Sequence, residues 1–170
     1  MLRRLQAFLT WILEWTTIIL MILLTVVVIV AVGYRLAEDS LSWYDEIAAI
    51  LLAWITYYGA ALAALKRRHI GFDSVLLAIP NPMRMVAVLV AEAIVLTFFA
   101  LLAWTGLEVL EVLEGDTLVS LTWMPVRLTQ SVIPIGAILF IIAEILSFPD
   151  YWRVTASGMS LEHPEIHGEG

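Results

Sequence analysis

Three carboxylates interrupt otherwise apolar stretches of this 170-residue chain: Glu14, Glu92 and Glu144. A carboxylate carried into lipid can hold a proton or a cation, so such positions are functional candidates by default. Each of the three lies toward the end of its apolar run that also carries basic residues, with Glu92 about 12 Å of helix rise beyond Arg84. Long basic side chains of that end can reach them by burying their stems and extending their charged heads. The pattern is therefore served by a layer of structural ion pairs, by proton or cation coupling, or by contact with a partner subunit. No carboxylate sits at the middle of its run with a second one facing it.

Other chemistry finds little support. His69 follows the basic run Lys66-Arg67-Arg68, and His163 and His167 lie in a polar C-terminal segment. Haem held between helices needs paired histidines inside apolar spans, and none occur there. The absence of cysteine removes disulfides, thiolate metal sites and thiol redox reactions. No nucleophile–base pair, phosphate-cradling glycine loop or zinc-ligand spacing is present. The expectation is a chain that is not an enzyme, with no catalytic residue, no metal, no cofactor and no nucleic-acid partner.

The elements that position these residues follow from hydrophobicity. The chain is 62% hydrophobic and 15% charged, with a mean hydropathy of +0.95. Soluble domains carry roughly 25% charged and 45–50% apolar residues, and a chain this short cannot hide the excess in its own core. A helix needs about 20 apolar residues to cross a ~30 Å hydrocarbon layer. Four stretches qualify, at about 11–32, 45–65, 85–107 and 126–148, which predicts an all-α integral membrane protein with four transmembrane helices. The first run is too long for a signal peptide and lacks a small-residue cleavage site, so it reads as a retained span.

Charge sets the expected orientation. Arg3, Arg4, Lys66, Arg67, Arg68, Arg84 and Arg153 fall on one side, and Arg35 and Arg127 on the other. The side richer in Lys and Arg is cytoplasmic, which predicts both termini inside. Glu38, Asp39, Glu108, Glu111, Glu114 and Asp116 then lie outside, and tryptophans mark both boundaries. Residues 1–153 form the membrane domain, and 154–170 a polar tail expected to be a disordered cytoplasmic segment.

The connections carry further signals. Ser42-Trp43-Tyr44-Asp45-Glu46 reads as a helix start, with Ser42 as the cap and two carboxylates in the first turn. The linker from His69 to Pro82 alternates apolar and polar residues in the manner of a short interfacial helix, stopped by Pro80-Asn81-Pro82. Glu108, Glu111 and Glu114 repeat with Leu107, Leu110 and Leu113, so the third span is expected to continue outward as an amphipathic helix ending at Gly115. That acidic stripe is either a solvated face or a docking surface for a periplasmic partner. Lys66-Arg67-Arg68 is most simply a topology anchor touching anionic headgroups. Gly59-Ala60-Ala61 with Ala63-Ala64, and Gly136-Ala137, offer small-residue faces for close helix packing.

Trp43-x-Asp45-Glu46 opens the second span, Trp54 and Gly59 follow within it, and Arg67-Arg68-His69-Ile70-Gly71-Phe72-Asp73 closes it. This combination resembles the small membrane subunit, of DctQ type, of tripartite ATP-independent periplasmic (TRAP) transporters. The resemblance extends to length, span number, orientation and the linker after the basic-His motif. It implies a sodium-coupled transporter for organic acids in the bacterial inner membrane. A large multi-span subunit would carry the substrate and sodium sites, and a periplasmic solute-binding protein would deliver the substrate. This chain would be a non-catalytic scaffold embedded among lipids, with Trp43, Asp45, Glu46, Trp54, Gly59, Arg67, Arg68, His69 and Asp73 as assembly residues, helping to dock the binding protein. The competing reading is a self-sufficient four-helix proton-coupled exporter using Glu14.

Overall fold

In the computed structural model the described residues are 2–67 and 79–157. They form α1 (Leu2–Leu36), α2 (Tyr44–Leu65), α3 (Asn81–Val112), the short α4 (Val126–Gln130) and α5 (Val132–Ala156). Among the described residues there is no strand, only a lone bridge between Thr117 and Pro125. With α4 and α5 taken as one crossing, four helical units are long and apolar enough to span a membrane. The protein is all-helical and built for a bilayer. The linker expected as an interfacial helix lies almost entirely outside the described residues, as does the tail beyond Ser157.

Three helices overrun the apolar runs that announce them, α5 by continuing to Ala156. The 35 residues of α1 extend about 52 Å at 1.5 Å per residue, well beyond a ~30 Å hydrocarbon layer. No Pro or Gly interrupts Leu2–Thr10, so nothing stops the helix where hydrocarbon-compatible composition begins. Pro80 enters α3 in an extended conformation, and Pro82 sits in the first turn, where its missing N–H costs nothing. At its far end α3 stops at Val112, three residues short of the expected terminus, and the chain turns over Gly115 at φ 95°. That left-handed conformation suits a residue without Cβ.

The fourth crossing is broken rather than continuous. Pro134 has no N–H to offer the carbonyl four residues earlier, so the helix is interrupted at Ser131. The Thr129 and Ser131 hydroxyls donate back to the Val126 and Leu128 carbonyls at 2.8 and 2.7 Å. Helical bonding resumes when the Ile135 N–H reaches the Ser131 carbonyl at 3.2 Å.

Helix α2 packs on α1 and α5, and α3 packs on α5, so α5 and α2 are the central pair. Small residues make the contacts close. Ala61, Ala64, Ala137 and Ala143 are fully buried. A Cβ on Gly136 would lie 2.7 Å from Tyr57 Cβ, and one on Gly106 would lie 3.0 Å from Pro134 Cδ. Gly59, expected on the same packing face, meets nothing within 4 Å. It lies off the stripe formed by Ala61 and Ala64.

The core gathers Leu13 of α1, Ala61, Ala64 and Leu65 of α2, and Phe140, Ala143 and Leu146 of α5, flanked by Val95 and Phe99 of α3. The Phe99 and Phe140 rings stack at 3.7 Å. This core lies toward the end where Lys66, Arg67, Arg84 and Arg153 collect, here termed the basic end. The start of α1 and the end of α5 meet there, where Gln6 Nε2 donates to the Leu146 carbonyl at 2.6 Å. Outward faces stay apolar, including an exposed stripe of Ile135, Ile138, Ile142 and Ile145 on α5.

Candidate functional site

Arg67 is the junction of the basic end. Helix α2 ends at Leu65, and Arg67 adopts φ 50°. That is an uncommon conformation for a residue with a side chain. The turn sends the guanidinium back between α3 and α5 instead of outward to headgroups. Arg67 Nη1 donates to Glu92 Oε1 at 2.5 Å and meets Glu144 Oε1 at 2.7 Å. Nη2 donates to the Glu144 carbonyl at 3.2 Å, and Nε donates to Ser147 Oγ at 2.8 Å. The Ser147 hydroxyl in turn donates toward the Ala64 carbonyl at 3.2 Å. The Tyr151 ring lies 4.6 Å from the guanidinium carbon, within cation–π range.

The cluster is enclosed: the side chains of Arg67, Glu92 and Glu144 are 13%, 11% and 7% exposed. Beside it, Lys66 Nζ pairs with Glu14 of α1 across a more open surface. All three intramembrane carboxylates thus meet bases from one end of α2. Counted along the helices, Glu14 lies ten residues from Arg4, Glu92 eight from Arg84, and Glu144 nine from Arg153. At 1.5 Å per residue the layer therefore sits about 12–15 Å deeper than the rim of basic residues.

At the opposite, acidic end a second junction forms. Trp43 is the N-cap of α2, no side chain caps the helix, and Asp45 and Glu46 occupy the first turn. The expected Ser42 cap is therefore absent; the Ser42 carbonyl accepts a bond from Ser120 Oγ at 2.9 Å. Glu46 accepts the Val119 and Ser120 N–H groups at 3.1 and 3.0 Å, fastening the loop before α4 onto α2. Trp54 Nε1 donates to the Thr129 carbonyl at 2.9 Å, just before the helix break. Replacing Glu46 with Ala should free both amides and cost on the order of 1–3 kcal/mol, the value of hydrogen bonds to a charged group. Hydrogen exchange at Val119 and Ser120 should accelerate while exchange in the middle of α2 stays unchanged.

The family model of "Tripartite ATP-independent periplasmic transporters, DctQ component" matches residues 24–153. The chain belongs to this family. A search of curated proteins found no match. DctQ proteins are small membrane components of TRAP transporters, which combine them with a large membrane component and a periplasmic binding protein. The matched range holds the Arg67 cluster and the Glu46 junction, and Glu14 falls outside it.

The assembly motif named from the DctQ resemblance divides in space. Trp43, Asp45 and Glu46 gather at the acidic end, Trp54 sits midway along α2, and Arg67 stands at the basic end. Gly59 faces open space. Arg68, His69 and Asp73 lie outside the described residues. Of the outer acidic stripe, Glu108 accepts Trp104 Nε1 at 2.9 Å, Glu114 lies 3.7 Å from Arg127, and Glu111 is exposed. Among the described residues, no group of three His, Asp or Glu side chains is placed to hold a metal ion.

Several working residues escape sequence inspection. Ser147, Tyr151 and Thr129 engage the motif through contacts between distant parts of the chain. The one local signal is the spacing of Glu144 and Ser147, which are three residues apart and so share a helix face.

Proposed function

We propose that this DctQ chain is the small, non-catalytic membrane subunit of a sodium-coupled TRAP transporter for organic acids. It sits in the bacterial inner membrane with both termini cytoplasmic, and the basic end faces the cytoplasm in keeping with its Lys and Arg content. It scaffolds the large transport subunit through its outward apolar helix faces. At the acidic end, Glu108, Glu111 and Glu114 help dock the periplasmic solute-binding protein. Membrane lipids cover the remaining apolar surface.

One observation carries this reading. The buried Arg67, Glu92 and Glu144 bind helix to helix, Arg67 joining α2 to α3 and α5, while long apolar faces remain outward. Such an interior holds a scaffold together. Glu14, on which a self-sufficient exporter would depend, is bound to Lys66, and that reading gains no support.

Co-purification tests the proposal. A tagged chain extracted in mild detergent should bring down a much larger multi-span membrane protein in a fixed ratio. Recovery of the chain alone, with transport activity in vesicles containing nothing else, would overturn it.

A further inference from the structure

The charge count of the Arg67 cluster does not balance. Two carboxylates, Glu92 and Glu144, meet the same nitrogen of one guanidinium, at 2.5 and 2.7 Å. Both residues are at least nine-tenths buried, with exposures of 9% for Glu92 and 6% for Glu144. Glu144 Oε2 is buried and has no hydrogen-bond partner. Both carboxylates converge on Arg67 Nη1, so one guanidinium faces two acidic groups that carry no proton of their own when ionised.

Among the described residues, Arg67 is the one base that forms an ion pair with either carboxylate. From α2, Lys66 turns to Glu14 of α1, and Tyr58 packs against the apolar core. From α3, Arg84 is also buried and its Nε has no hydrogen-bond partner, but it lies eight residues toward the helix start and forms no ion pair with either carboxylate; from α5, Arg153 is exposed. From α5, Tyr151 presents its ring to Arg67, Ser147 is already engaged by it, and Asp150 is exposed. A net negative charge placed below the basic rim would be strongly disfavoured in lipid.

We propose that the Arg67–Glu92–Glu144 cluster is a proton-binding site, in which one proton from water at the basic end is held by the carboxylate pair, at Glu144 Oε2. The proton forms one O–H bond, no other bond changes, and the cluster becomes electrically neutral. This goes beyond the scaffold reading and does not depend on which transporter the chain serves.

Infrared difference spectroscopy of the full chain in lipid nanodiscs tests it, with wild type set against Glu92→Gln and Glu144→Gln. Wild type should show a protonated-carboxyl C=O band at neutral pH that shifts on deuterium exchange. Loss of the band in one variant assigns the proton to that side chain, and loss in both assigns it to the pair; either result supports the site. Both variants should keep the wild-type thermal midpoint, because glutamine is neutral and carries its own donor. Absence of the band from wild type, its survival in both variants, or failure of both variants to fold would each overturn the proposal.

Discussion

Arg67→Met is expected to lower the stability of the chain by about 3–5 kcal/mol, the usual cost of removing one partner from a buried ion pair. The substitution keeps a long apolar stem but leaves Glu92 and Glu144 facing each other with no counter-charge. It also removes the donor that holds Ser147 at 2.8 Å. Because Arg67 joins α2 to both α3 and α5, the effect should register across the bundle. Unfolding in mixed micelles, followed by tryptophan fluorescence, should show the loss. Combining Arg67→Met with Glu92→Gln and Glu144→Leu should recover most of it, since a buried ionic group replaced throughout by well-packed residues is often neutral in stability. A single substitution no worse than the triple would mean that the cluster contributes little.

The second large effect is expected at Gly136. A methyl group there would lie 2.7 Å from Tyr57 Cβ and 2.8 Å from Tyr57 Cδ1. A Cβ is fixed to its own backbone and cannot swing aside, so α2 and α5 would have to move apart. Gly136→Ala should therefore cost about 1–3 kcal/mol, as overpacking does, despite the roughly 1 kcal/mol helix preference of alanine over glycine. Gly59→Ala is the matched control. Nothing lies within 4 Å of the added carbon, so the same exchange should stabilise by about 0.5–1 kcal/mol. Opposite signs at two glycines of the central pair, measured in one unfolding assay, would locate the close approach. Equal effects would remove it.

The contrast between these glycines also marks what could be read in advance. Four crossings are legible because apolar runs of bilayer length have no other stable use. Their ends are less so, because a helix stops where caps or breakers intervene and not where lipid does. Hence α1 reaches back to Leu2, and α3 begins at Asn81. Pro134 was visible, yet the break it causes depends on Thr129 and Ser131 hydroxyls turning back on the chain.

The site was half legible. Glu14, Glu92 and Glu144 could be expected near basic residues from depth alone. That one guanidinium would take two of them could not, because the turn at Arg67 has a left-handed conformation usually signalled by glycine. Likewise Ser42 has the chemistry of a cap, but its carbonyl is taken by Ser120, 78 residues away. Local preference gives way where a distant partner offers a better bond.

The reach of Arg67 along the chain has a consequence for biosynthesis. Its carboxylate on α3 is 25 residues downstream and its contacts on α5 are 77 and 80 residues downstream. A growing polypeptide therefore delivers the arginine well before the groups that satisfy it. Until the last helix is threaded in, the end of α2 must stay hydrated at the membrane border, and only the completed product can draw it inside. A product cut short before α5 would display an unsatisfied arginine, which quality-control proteases could recognise as the mark of an unfinished protein.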